Sequence, residues 1–289
     1  MNGDVRLNKV IDLLEQGKTV FGALVRNGNL DDVLELGDSD FDFVYIEMEH
    51  DGFSFIDLRN SLQHFISRRR VHQKGSLQPD VVPVVRIPPN SREGRYNQWI
   101  IKQSLDAGVY GLVLPHLSTP DDAQASVIAA RYPQVPGVPD QEPEGQRGWG
   151  SPRLAARYWG LTNQEYYDVA DVWPVDPDGE LILMGIVESP EGIRNLPDIL
   201  REVKGIGAVW IGHGDLSVSL GQRGNTDAPA VQEAMASILK TCNEFNVPCG
   251  VVARKDNVEQ RVEQGYRIII ASPVKVTDSL ALGKKAAGR

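Results

Sequence analysis

The sequence predicts an α/β chain closed into a (β/α)8 TIM barrel, and three observations predict it. Eight short runs rich in β-branched residues recur along the 289 residues. They lack the polar alternation of half-exposed strands, as strands buried on both faces of a parallel sheet do. Segments with apolar residues at helical spacing lie between them, and that alternation belongs to a barrel or to a doubly wound sheet. The open sheet is the weaker reading, because no GxGxxG or GxxxxGKS follows the first run.

Taken in order, Arg6 to Gln16 reads as a short helix, with Leu7, Val10, Ile11 and Leu14 on one face and Gly17 ending it. The strands are TVFGALV from Thr19, FDFVYIEME from Phe41, VVPVVRI from Val81, YGLVLP from Tyr110, LILMGIVE from Leu181, GAVWIG from Gly207, VPCGVVA from Val247 and YRIIIAS from Tyr266. Helices are expected over Ile56–Arg70, Asn97–Ala107, Ala230–Phe245 and Asp256–Gln264. Another begins at Thr119, whose hydroxyl suits the N-cap, with Pro120 in the first turn. Two stretches stand outside the pattern. Tyr132–Gly150 is rich in proline and glycine and too long for an ordinary connector, which makes it a lid or a subunit-contact loop. VHQKGSLQPD before the third strand is a second exposed excursion. Helix resumes near Pro152, and VDPDGE from Val175 turns into the fifth strand.

Apolar residues make up 41% of the chain, enough for one core spanning 1–289. A net charge of -9 argues against a nucleic-acid backbone as partner, since phosphate binding needs a basic face. Two cysteines form no disulfide framework and have no zinc-ligand spacing. No apolar stretch reaches membrane-spanning length and the N-terminus has no signal-peptide core, so the expectation is a cytoplasmic protein without a membrane partner.

Chemistry is expected where the strands end, because the C-terminal rim of a barrel carries the active-site loops. Glu188 closes LILMGIVE, and Asp215 follows the next strand in AVWIGHGDLS. Two carboxylates on adjacent strand ends make a seat for a hard divalent cation, without choosing among Mg2+, Mn2+ and Co2+; either alone would serve equally as a helix cap. Glu47, Glu49 and His50 end the second strand, and a histidine there has a pKa suited to general acid/base work. Arg86 ends the third strand, where its fork would clamp a carboxylate. His116 ends the fourth strand and faces the rim, while Trp149 would wall the pocket beside Arg147. Gly214 sits in GHGDLS, whose small residues let backbone N–H groups approach an anion; His213 there is equally explained by loop packing. Asp106, before Gly108, reads on its own as a turn cap.

These residues, with FDFVYIEMEHDGFS, VVPVVRIP, IKQSLDAGVYGLVLPHLSTPDDA, QRGWGSPRLAARY, IVESPEGIRNLPDIL and VWIGHGDLSVSLG, resemble the HpcH/HpaI aldolase family of metal-dependent pyruvate aldolases. The resemblance implies cleavage or formation of 4-hydroxy-2-oxo acids through a pyruvate enolate, from 2-oxo acid and aldehyde substrates. It implies that Glu188 and Asp215 hold the divalent metal, that His50 is the acid/base paired with Asp106, that Arg86 polarises the pyruvoyl oxygens, and that Gly214 and Asp215 flank its carboxylate. It also implies a homo-oligomer, usually a hexamer, with the C-terminal helix against a neighbour. A citrate-lyase-like or malyl-CoA-type lyase, an oxaloacetate decarboxylase, or a non-catalytic binding barrel are the alternatives. The sequence departs from the family at Ile186, where many relatives have glutamine, at His213, where proline is common, and at Glu47, where aspartate is common.

Overall fold

Nine strands form one sheet in the computed structural model, which describes residues 6–88, 93, 96, 98–150, 152–271 and 277–289. They are β1 (Val20–Arg26), β2 (Phe43–Glu47), β3 (Val82–Arg86), β4 (Gly111–Leu114), β5 (Val172–Trp173), β6 (Leu181–Val187), β7 (Ala208–Ile211), β8 (Cys249–Ala253) and β9 (Ile268–Ala271). Every pairing is parallel. β1 pairs with β9 and β4 with β6, so eight strands close into a (β/α)8 barrel, as the unbroken apolar runs predict. β5 is a two-residue addition to the start of β6, too short to leave a periodic signal. All seven positions of β6 are buried, which is why its sequence shows no alternation.

The expected helices are present with differences, and Leu30–Gly37, Asn163–Val169 and Pro190–Glu202 are helices beyond them. Ile56–Arg70 is two helices, Phe55–Phe65 and Arg68–Lys74, because Ile66 turns extended and Ser67 caps the second. Thr119 caps Pro120–Ala130 through the Asp122 N–H at 3.2 Å. Pro190–Glu202 is a helix despite an internal Pro197, which removes one backbone donor and would break the pattern if sequence alone decided. Asn97 and Ser272, the ends of two expected elements, lie outside the described residues. No helix among the described residues is long and apolar enough to cross a membrane.

Side chains pack across the barrel interior. Tyr45 on β2 and Trp210 on β7, which are not neighbours, meet edge to face at 5.0 Å. Strand periodicity then turns Glu47 and the position of Gly212 inward at the next level up, toward the rim.

The long segment after helix 120–130 starts at the opposite, N-terminal end. Wholly buried Arg131 ties it down, donating to both Asp171 oxygens at 2.7 Å and to the Pro143 and Asp140 carbonyls at 2.8 Å. Tyr132–Gly150 is therefore no lid over its own chain's rim, a correction of one of its two expected roles. The C-terminal helix Thr277–Ala286 docks on its own chain, with Gly283 beside Phe21 of β1 and Val258. Arg289 then pairs with buried Asp42 through both carboxylate oxygens at 2.6 and 2.9 Å.

Candidate functional site

β2 and β3 lie in register so that Glu47 stands opposite Arg86. Both guanidinium donors Nε and Nη2 reach Glu47 Oε2, the first at 2.7 Å. The other oxygen of Glu47 accepts from the backbone N–H groups of Glu49 at 2.7 Å and His50 at 3.1 Å. Glu47 is only 2% exposed, and these four hydrogen bonds satisfy it. It thereby fixes both the arginine fork and the turn that carries His50. Arg86 also lies over the Tyr45 ring at 5.7 Å.

Glu49 is the residue to which the sequence assigned no role. It sits 3.3 Å from Arg86, 3.5 Å from His50 and 4.0 Å from His116, which makes it the hub of the rim. Burial raises its carboxyl above the ordinary range; Arg86 opposes that, while Glu47 and Asp215 add to it. Strand alternation alone placed Glu49 on the face of Glu47, but only the fold brings His116 across from β4.

Glu188 follows β6 directly and is 6% exposed. Its Oε1 accepts the His116 backbone N–H at 2.7 Å and lies 3.0 Å from His116 Nδ1. His116 adopts φ 57°, a left-handed backbone that turns both of these nitrogens onto one carboxylate oxygen. Burial, with the charges of Asp215 and Glu49, pushes the Glu188 carboxyl up to about 8, the His116 N–H and Arg86 opposing. Gly212 makes room: a Cβ there would come 2.3 Å from Glu188 Oε2. Gly212 also precedes the helix His213–Ser219, whose first turn holds exposed Asp215. The rim thus gathers Glu47, Glu49, His50, Arg86, His116, Glu188 and Asp215. A Cβ added at Gly214 meets nothing within 4 Å, so that face of the turn is open. His213 is pulled to the other side, its imidazole pKa lowered by burial and by Arg261 and Arg254.

Two expected residues lie elsewhere. Asp106 ends the helix Gln98–Ala107, which runs down to the start of β4, whereas His50 follows the end of β2. The two stand at opposite ends of the barrel, so one chain cannot pair them. Asp106 instead accepts from buried Arg147 at 2.9 Å. Trp149 belongs to the same end, packed against Tyr167 at 5.4 Å, and does not wall this chain's rim.

A divalent cation fits the donor set of the rim. Glu188 is held buried and crowded by like charges, and two carboxylates leave coordination positions for water and substrate oxygen. A second acidic group, Asp140, Asp171 and Asp176, has ligand atoms within 4.8 Å of one another. Arg131 already contributes a full positive charge there, bidentate on Asp171, so a dication would face repulsion.

Comparison with known proteins shows the family to which the chain belongs. The model of the HpcH/HpaI aldolase/citrate lyase family matches residues 29–276. The chain is 28% identical over 284 residues to a hydroxypyruvate/pyruvate aldolase of Roseobacter denitrificans, covering 98% of this chain and 97% of the relative. It is 30% identical over 253 residues to the 5-keto-4-deoxy-D-glucarate aldolase of Escherichia coli, covering 88% and 85%. Among solved structures, an HpcH/HpaI aldolase/citrate lyase family protein of Burkholderia cenocepacia superposes with a TM-score of 0.74 at 27% identity, over 96% of this chain and 95% of that one.

Proposed function

This chain belongs to the HpcH/HpaI aldolase/citrate lyase family and is an enzyme of aldolase/lyase type, and we propose that its rim cleaves and forms 4-hydroxy-2-oxo acids through a pyruvate enolate. One observation carries the reading. Glu188 is a buried carboxyl crowded by the charges of Asp215 and Glu49, with Arg86 held by Glu47 at the same rim. Such a pair would take a cation, with the Arg86 charge at the same rim for a developing oxyanion. Both aldolase relatives are named for small oxo acids, which matches the class.

Glu188 and Asp215 would hold Mg2+, Mn2+ or Co2+, which when bound supplies Lewis-acid charge to the 2-oxo and carboxylate oxygens of the substrate. Arg86 stabilises the negative charge that develops on the 2-oxo oxygen, and needs no reorganisation because Glu47 already orients it. The 4-hydroxyl gives up its proton, the C3–C4 bond breaks, an aldehyde leaves, and the bonding pair becomes the enolate. His50, exposed on the rim, moves that proton and returns one to C3 to give pyruvate. The open face at Gly214 admits the carboxylate. His116 orients Glu188 and borders the substrate. Asp106 and Trp149 take part only from a second copy of the chain, whose N-terminal end would meet this rim in a homo-oligomer.

The test is pyruvate release from a 4-hydroxy-2-oxo acid, and from oxaloacetate, which decarboxylates to the same enolate. Glu188→Gln and Asp215→Asn should each lose more than about 100-fold, beyond the loss expected from removing a group that only orients a metal ligand. Wild-type rates in both variants would defeat the reading.

A further inference from the structure

We propose that a cavity on the flank of the barrel, separate from the rim, binds a small amphiphile with a flat apolar body and one anionic head. The excursion before β3 builds it: helix Arg68–Lys74 and the turn to Asp80 wrap a space of about 370 Å³ instead of merely connecting two elements. That volume falls in the range of small-molecule pockets, roughly 300–1,000 Å³.

Its walls include Phe65, Val71, Leu77, Val81, Tyr110 and Tyr158. Tyr110 is stacked on Trp159 at 4.1 Å and 2°, a rigid aromatic floor. Leu77 closes the wall over Gly160, where a Cβ would come 2.7 Å from Leu77 Cδ2. Gly160, at φ 78°, ends the helix Arg153–Trp159 and leaves that space free. Val81 and Tyr110 immediately precede β3 and β4, which places the cavity at the end away from Glu188.

Charge selects the ligand. Arg68, Lys74 and Arg157 line the space with one acid, Asp80. Lys74 and Asp80 neutralise each other at 3.3 Å. Arg68 and Arg157 have no carboxylate partner among the described residues, in a chain whose net charge is -9. Two exposed guanidinium groups lining a cavity that also has aliphatic and aromatic walls match a carboxylate or phosphate head on a ring-sized body.

Indole-3-acetate, neutral indole and phenyl phosphate are the probes, titrated calorimetrically into the full chain with Mg2+ and pyruvate saturating the rim. Expected is saturable binding of one indole-3-acetate per chain, at least about tenfold tighter than indole, or about 1.4 kcal/mol. The phenyl phosphate arm separates the two head groups: tighter binding than indole-3-acetate assigns a phosphate ligand, weaker binding a carboxylate. Arg68→Ala with Arg157→Ala should abolish the preference over indole, and Leu77→Trp should abolish binding of all three probes at unchanged thermal stability. Val71→Phe, on the exposed helix, makes the same test should Leu77→Trp not fold. Equal affinity for indole and indole-3-acetate, or undiminished binding in both filled variants, overturns the proposal.

Discussion

Glu188 shows how one side chain links stability to chemistry. Its folded carboxyl is raised to about 8, against an ordinary 4.5. Between those values the folded chain binds more protons than the unfolded one, so stability falls as pH rises through that window. Metal-stripped protein should therefore melt at progressively lower temperature from pH 5 to pH 8. Glu188→Gln should flatten that trend, and saturating Mg2+ should reverse it at pH 8 by binding only the folded state. A wild-type profile no steeper than that of the glutamine variant would remove the premise. Arg86 supports a second prediction. Lysine there keeps the charge but loses the planar fork whose Nε and Nη2 both grip Glu47 Oε2. Arg86→Lys should lower kcat/KM about 100-fold, the scale of losing one oxyanion donor. A change below threefold would show that the fork does no more than balance charge.

At the scale of elements, what was legible depended on how local the cause was. The eight strands are readable because burial on both faces writes itself into continuous apolar runs, and Glu47, Arg86 and Glu188 are readable because each ends such a run. Glu49 was not assigned, since its partners Arg86 and His116 come from two other strands. β5 and the break at Ile66–Ser67 are illegible for a different reason: neither is long enough to show a period. The turn after β7 offers a direct check. Gly212→Ala would place a methyl 2.3 Å from Glu188 Oε2, inside any tolerable contact. It should fold and yet lose metal affinity at least about tenfold by titration, as second-layer disruptions of a metal ligand do. At the other end, burial raises the Asp42 carboxyl, but Arg289 and Lys9 outweigh that and hold it below the ordinary range. A lowered acid contributes stability above its unfolded pKa and loses it as pH falls through the folded one. Arg289→Ala should cost roughly 3 kcal/mol in denaturant unfolding at pH 7, and less at pH 3.

At the scale of the molecule, the barrel separates its functional candidates by end. Rim residues follow the strands, while Asp106 lies before the start of β4 and holds Arg147 there, so a sequence that lists them in one line hides that His50 and Asp106 cannot meet within a chain. That pairing rests on the family resemblance alone: Asp106 by itself reads as a turn cap, and its place in the barrel is illegible in the sequence. If a second copy supplies Asp106, His50→Ala and Asp106→Asn chains, each inactive alone, should regain up to about a quarter of activity per site when mixed and reassembled. Mixtures as inactive as the separate variants would confine any role of Asp106 to holding Arg147. Whether Glu188 and Asp215 hold one divalent cation is decided by calorimetric titration of Mn2+ into chelator-stripped protein. One site per chain is predicted, lost in Glu188→Gln and Asp215→Asn and kept in Asp171→Asn. Binding that survives both rim variants, or disappears with Asp171→Asn alone, would contradict it.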